Sequence, residues 1–484
     1  MNNSKLLFLI IIFFAIAGMF GKINYGDLPP LGSAAHAAVS REIIRTGDWL
    51  TLHWPYCPEF KDFYQFPPLH FWCTAIGYKL FGVSDFTAIL SSALFGAGTI
   101  LLTYWLGYLL FKNSFLAFIS ALFMATTPLL FKHSRKCELE SILLFFTALS
   151  FIFFLLGKQK NEKYFILFGI STGLAFLSKG PPGYAPYGAV GLYIIITKQW
   201  QLLKNKYFWI GIISGLLVPF LWIIPQLLYE GDKLYNRYIQ GQILWSIKGR
   251  QAAQKTLWEQ VVKYMYFFPV MLIYYLPWGP LGFYGVYKLI KSKSQDMILM
   301  FCWIVTVWLG FTFAGWKDNY YMLLLYPAWV IGIVLIFKDW LLKEKIRRNI
   351  TYTSIGILVS FIILLFTPVK LGKIRNPEFS DKQFVQAVSQ AVPAEKAIII
   401  YRLYYWDMIS LFPWYIDRGV TNTVETPEEL RKKFINSGSR DFCFMKTDEY
   451  ESLPGAIKNK TRVFYKTGRY ILLSNEAPGI GHSM

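Results

Sequence analysis

The chain has 484 residues, of which 55% are hydrophobic and 16% charged, with 17 Trp, 31 Tyr and 42 Phe. Uncharged runs at 86–111, 207–229, 264–287, 297–316 and 349–369 each reach the roughly 20 apolar residues that cross a hydrocarbon core, which excludes a soluble enzyme. The net charge of +20 is read first as the basic excess of cytoplasmic loops and not as a nucleic-acid surface.

In chain order, Leu6–Gly21 follows Lys5 and lacks a small-x-small cleavage pattern, so it reads as a retained first helix. Breaking the chain at charges gives eleven spans, at about 6–21, 86–111, 113–131, 141–157, 164–178, 180–197, 207–229, 264–287, 297–316, 319–337 and 349–369. With the N-terminus in the cytoplasm, the inside loops carry Lys112, Lys158, Lys160, Lys163, Lys198, Lys204, Lys206, Lys288, Lys291, Lys293 and the cluster Lys338–Arg348. The long segments 22–85 and 230–263 and the tail then lie outside. Pro269, Pro277 and Pro280 predict a kink within 264–287.

Segment 22–85 carries an amphipathic stretch, Ser33–Arg45, stopped by Gly47, and an apolar piece, Leu69–Leu80, too short to span. The tail reads as a small α/β domain at 371–484, with strands at Ala397–Tyr401, Phe442–Met445, Val463–Lys466 and Tyr470–Ser474 and helical spacing over Thr426–Ser437. The expected fold is thus an all-α polytopic membrane domain over 1–370 plus this extracytoplasmic α/β domain. The five Cys form no CxxC pair, and the spacing of His36, His53, His70 and His133 fits no standard ligand motif.

Five motifs stand in order: Arg41-Glu42-Ile43-Ile44-Arg45-Thr46-Gly47-Asp48-Trp49; Tyr64-Gln65-Phe66-Pro67-Pro68-Leu69-His70-Phe71-Trp72, with Leu80-Phe81-Gly82 after it; Leu139-Glu140-Ser141-Ile142-Leu143-Leu144-Phe145-Phe146; Leu177-Ser178-Lys179-Gly180-Pro181; and Phe313 to Tyr321, before Tyr326-Pro327-Ala328. Together they resemble the AREM-x-x-GDW, Y-x-x-KPPL-x-x-W, LD-x-x-L-x-FF, L-x-KG-P and S-x-K-x-x-YY segments of bacterial dolichyl-phosphate-mannose-protein mannosyltransferase-like enzymes, including the lipid A aminoarabinose transferases. The resemblance covers about residues 1–337. It implies a GT-C fold in the bacterial inner membrane and transfer of a sugar from a polyprenyl-phosphate donor to a lipid, glycan or protein acceptor at the outer face.

That chemistry needs a carboxylate for the acceptor hydroxyl and cations for the departing phosphate. The resemblance makes Glu140 the second acid. The family's first acid would fall near Gly32 and Ser33, so the nearest candidate is Asp27, and the family's KPPL lysine is Phe66 here. Lys179, Lys317, Arg135 and Arg250 are the candidate phosphate ligands, and Tyr320 and Tyr321 the candidate sugar or phosphate contacts. Snorkelling and the aromatic belt of membrane proteins are the rival explanations for the two lysines and the two tyrosines. No cofactor is read from the chain, and a divalent metal is left open. The two departures motivate an alternative, a catalytically silent relative that binds a lipid-linked sugar. A lipid flippase or transporter rests on span count alone.

Overall fold

The computed structural model describes residues 3–23, 28, 30–55, 62–244, 246, 262–367, 386, 388–390, 392–393, 398–402, 414–415, 422–437, 441–466 and 470–475. Asp27 and Arg250 lie outside the described residues. The chain divides into two compact units, one of residues 1–23, 64–82 and 86–369, the other of 24–63, 83–85 and 370–484.

The first unit is helical because its apolar runs can satisfy their backbone only internally. Its helices are α1 (Asn3–Phe20), α3 (Leu69–Phe81), α4 (Asp85–Phe111, whose first residue falls in the second unit), α5 (Ser114–Ala125), α6 (Pro128–Ser134), α7 (Glu140–Gln159), α8 (Tyr164–Lys179), α9 (Ala185–Thr197), α10 (Lys206–Leu217) and α11 (Phe220–Lys233). After a π-helical stretch, Leu234–Leu244, come α12 (Phe267–Ile273), α13 (Gly279–Ile290), α14 (Gln295–Phe313), α15 (Tyr326–Leu341) and α16 (Glu344–Phe366).

Among the described residues six helices are long and apolar enough to cross a membrane: Asp85–Phe111, Glu140–Gln159, Lys206–Tyr229, Gln295–Phe313, Asn319–Leu341 and Glu344–Phe366. The pair α5 and α6, bent by 64°, makes a seventh, while Ser4–Phe20, Tyr164–Lys179 and Val262–Ile273 are shorter apolar helices. The expected single span 264–287 is instead two helices, α12 and α13, separated by a turn at 274–278 that contains Pro277, which has no N–H to donate to the ladder. Likewise 180–197 opens on a 3₁₀ turn, Pro181–Tyr184, before α9 begins.

The short helix α8 is held by its neighbours. Gly169 and Gly173 face Gly211 and Gly215 of α10 so closely that a methyl group on Gly169 would lie 1.6 Å from the Gly211 carbonyl oxygen. Small-x-x-x-small stripes of this kind let helix backbones touch. Gly169→Ala is expected to cost roughly 1–3 kcal/mol by overpacking, read as a lower unfolding temperature in detergent. An unchanged melt would contradict this packing. At the other end of the bundle Lys158 pairs with Asp296 at 2.7 Å and donates to the Tyr193 hydroxyl at 2.5 Å, tying α7, α9 and α14. Lys158, expected as a topology charge, is therefore also a clasp.

In the second unit, α2 (Ala35–Thr46) ends where Gly47 adopts φ 76°, a left-handed turn that glycine enters without strain. The Arg41 guanidinium donates to the Trp414 carbonyl at 3.2 Å and lies over its indole, and the Trp414 indole donates to Asp85 at 2.8 Å. In the loop after α2, both ring nitrogens of His53 face carboxylates, Asp62 at 3.1 Å and Asp48 at 3.0 Å. The sheet has the order β2-β1-β3-β5-β4, with β1 (Ile398–Tyr401), β2 (Asn422–Val424), β3 (Phe442–Lys446), β4 (Arg462–Lys466) and β5 (Tyr470–Ser474). Strand β1 is parallel to β2 and β3, whereas β5 is antiparallel to both β3 and β4. Leu430, Phe434, Leu453 and Ile457 close one face as its core, and Cys443 is buried there as a free thiol.

Candidate active site

Two helix ends bring the principal charges together. Helix α8 stops at Lys179 because Gly180 takes φ 88°, ψ −144° and two prolines follow, a conformation open only to glycine and a sequence that cannot continue the helix. Helix α7 starts at Glu140, so the carboxylate sits in the first turn, where the helix dipole favours negative charge. The Lys179 ammonium lies 2.5 Å from Glu140 Oε1, with side-chain exposures of 12% and 10%. Such a pair, largely removed from water, is strongly coupled, and removing one member leaves the other uncompensated. The ammonium also rests 4.9 Å and 5.2 Å from the ring centres of Tyr320 and Tyr321.

Beside this pair lies a cavity of about 440 Å³. Its walls are mostly apolar, with Phe66, Pro181, Val307, Phe311 and Trp316 among them, and its polar groups include Lys179, Gln65, Gln242, Ser246, Tyr184, Tyr238 and Tyr321. Glu140 and Tyr320 line a small adjoining recess that shares Lys179, Phe311, Tyr321 and Leu324 with the cavity. The Tyr238 hydroxyl, in the cavity wall, is buried without a hydrogen-bond partner among the described residues.

A third group adjoins Glu140. His133 Nδ1 bonds to the Glu138 carboxylate, which also receives Lys136 at 3.3 Å, and the His133 ring lies 4.7 Å from that of Tyr320. The spacing of His133 fits no standard ligand motif, so nothing in the sequence singled it out. Among the described residues Glu138 pairs with Lys136 and Glu140 with Lys179. The run His133-x4-Glu138-x-Glu140 is the signal that could have found the cluster.

Among the expected phosphate ligands, Lys179 and Tyr321 line the cavity and Tyr320 borders it. Arg135 does not: its guanidinium donates to the carbonyls of Gly18 and Met19 at 3.0 and 3.2 Å and of Lys22 at 3.0 Å, closing the C-terminal end of α1. Lys317 is likewise turned to the end of α14, where it donates to the Phe311 carbonyl at 2.9 Å and to that of Thr312. The residues missed by the sequence, Gln65, Tyr184, Tyr238, Gln242 and Ser246, carry no local signal because they meet only in three dimensions.

Burial, with Lys263 nearby, pushes the Lys317 amine down to about 8. The unfolded chain therefore binds more protons than the folded one between about pH 8 and about pH 10, so this residue makes stability rise with pH across that window. Lys317→Met is expected to remove that rise, which thermal unfolding of both proteins at about pH 8 and about pH 10 would read. Identical pH dependence in the two would contradict it.

The bundle thus holds an apolar-walled cavity with Lys179 in its wall and the Glu140 carboxylate in the recess beside it. A family profile described as dolichyl-phosphate-mannose-protein mannosyltransferase matches residues 65–225. The undecaprenyl phosphate-α-4-amino-4-deoxy-L-arabinose arabinosyl transferase of Pectobacterium carotovorum is 24% identical over 66% of this chain and 58% of its own length. A protein of Aquifex aeolicus is 25% identical over 70% of this chain and 65% of its own. The chain thus spans less than two thirds of the length of both relatives. The crystal structure of ArnT from Cupriavidus metallidurans in the apo state superimposes with a TM-score of 0.76 at 16% identity, covering 98% of this chain and 99% of that one, so the two share a fold. The chain therefore carries a segment, 65–225, similar to that mannosyltransferase family and shares the fold of ArnT.

Proposed function

We propose that the protein transfers a sugar from a polyprenyl-phosphate donor to a lipid A-like, glycan or protein acceptor at the outer face of the bacterial inner membrane. The observation that carries this reading is the 440 Å³ apolar-walled cavity with Lys179 in its wall and Glu140 directly behind. The apolar walls suit the first isoprene units of the lipid, and Lys179, with the Tyr321 and Tyr238 hydroxyls, suits the phosphate. Glu140 takes the proton of the acceptor hydroxyl as its oxygen attacks the anomeric carbon, and the carbon–oxygen bond to the phosphate breaks. Donor binding draws Lys179 from Glu140 to the phosphate, which leaves the carboxylate free as a base. Asp27 is a second candidate base and Arg250 a further phosphate ligand in this reading.

Loop charges orient the protein with eleven spans, the N-terminus in the cytoplasm and 371–484 outside. A related crystal structure, ArnT from Cupriavidus metallidurans, is described as bound to undecaprenyl phosphate, which supports the donor class. Gly32, Ser33 and Phe66, where the family carries acids and a lysine, favour one rival, a relative that binds a lipid-linked sugar without transferring it. Purified protein incubated with a panel of polyprenyl-phosphate sugars and membrane acceptors separates the two. Transfer supports the enzyme, and saturable donor binding without transfer to any acceptor supports the silent relative.

A further inference from the structure

We infer that the cavity holding Lys179 includes a subsite for an uncharged sugar ring, read by the side chains of Gln65, Gln242 and Ser246 and packed on the aromatic faces of Phe66 and Trp316. The inference rests on the donor reading and narrows it: the substrate is a polyprenyl phosphate whose sugar carries hydroxyl groups and no ionised group. All five side chains line the same cavity as Lys179. The π-helical stretch Leu234–Leu244 and the residues after it supply one wall, along which Tyr238, Gln242 and Ser246 recur at every fourth position. Helical turns of this wide kind are frequent at functional sites. The row is fixed at both ends. The Tyr238 ring packs edge-on against Trp222 at 5.4 Å, and the Gly315 amide donates to the Ser246 carbonyl at 2.8 Å, which sets Trp316 beside Ser246.

The types of side chain decide the class of ligand. A sugar hydroxyl both donates and accepts a hydrogen bond, and a primary amide or a hydroxyl offers both functions in return. The C–H face of a sugar ring is apolar and packs on an aromatic face. Tyr238 is 4% exposed, and its hydroxyl has no hydrogen-bond partner among the described residues. A methyl group on Gly180 would lie 2.7 Å from that hydroxyl, so the row begins beside Lys179 and the phosphate proposed for it. Charge selects further. The Lys179 ammonium in the cavity wall favours the phosphate and repels a second cation. An amino sugar would have to draw on Glu140, the base that the acceptor hydroxyl needs, and an acidic sugar would compete with the phosphate for Lys179. A neutral ring does neither.

The test uses the full-length protein in detergent and competition against radiolabelled undecaprenyl phosphate. The competitors are undecaprenyl phosphate itself, undecaprenyl phosphate-L-arabinose and undecaprenyl phosphate-4-amino-4-deoxy-L-arabinose, the last two differing only by a hydroxyl or an ammonium on one ring carbon. The hydroxyl sugar is expected to bind at least about 10-fold more tightly than the ammonium sugar. Gln65→Leu and Gln242→Leu should each weaken the hydroxyl-sugar donor by roughly 2–10-fold, the worth of one neutral hydrogen bond, and leave undecaprenyl phosphate within about twofold, which also reports that the variants are folded. Gln242→Glu should move the preference toward the ammonium sugar by at least about 10-fold. Equal or tighter binding of the ammonium sugar by the wild type, an unmoved preference in Gln242→Glu, or an equal loss of undecaprenyl phosphate in the leucine variants overturns the subsite while the donor reading stands. Failure of the wild type to bind undecaprenyl phosphate at all overturns the donor reading and the subsite with it.

Discussion

Replacing Glu140 by Gln is expected to lower sugar transfer by roughly 10²–10⁴-fold, the range associated with loss of a positioned acid or base, while the protein still inserts in the membrane at normal abundance. The substitution keeps the shape of the side chain and a hydrogen-bond acceptor for Lys179, but removes the charge and the basicity. Glu140 is 9% exposed and heads a helix that packs along its whole length, so no bulk carboxylate can stand in for it. A fall in kcat with little change in donor KM would identify a group that acts on the acceptor in the transition state. A variant with wild-type kcat would remove Glu140 from the chemistry.

Lys179→Met is expected to act on the other side of the pair, weakening donor binding by roughly 10–100-fold, as one charge-assisted hydrogen bond to phosphate is worth about 1.5–3 kcal/mol. It also strands the Glu140 carboxylate in a site with little water, so the single variant should melt below the wild type. The double variant Glu140→Gln, Lys179→Met should recover part of that loss, because a buried pair replaced as a unit costs less than either half alone. Donor affinity measured by competition with polyprenyl phosphate separates the two effects. Strictly additive melting losses would contradict the coupling inferred from the 2.5 Å contact.

Much of the fold was legible because it follows from local rules. Gly47 and Gly180 end their helices where the sequence places a residue able to take positive φ, and the strands β1, β3, β4 and β5 fall within a residue or two of the apolar runs that announce them. Strand β2, Asn422–Val424, was missed, since three residues flanked by polar ones give no alternation to detect. The division of 264–287 was foreshadowed only as a kink: prolines in a membrane helix are tolerated when neighbours take up the freed backbone groups, so sequence does not separate bend from break.

The site was legible to the extent that it lies on motifs. Glu140 and Lys179 stand 39 residues apart, each at a helix end set by its own neighbours, and their meeting is a product of how α7 packs on α8. Arg135 shows the reverse case. Its position in a loop between spans suggested a free cation, yet the end of α1, more than a hundred residues away, supplies three carbonyls that need donors. Lys317 was claimed by the carbonyls of its own preceding helix in the same way. Long-range satisfaction of backbone groups, invisible to composition or spacing, decides which cations stay available for a ligand.

Sugar transfer from a polyprenyl-phosphate donor is proposed for the cavity with Lys179 and Glu140. Its most direct test compares the glycolipids and glycoproteins of a deletion strain carrying either the wild-type chain or Glu140→Gln. The expected result is one sugar modification lost on deletion, restored by the wild type and still absent with the variant. Restoration by Glu140→Gln would remove Glu140 from the chemistry, and a profile unchanged by deletion would rule out the proposed transfer.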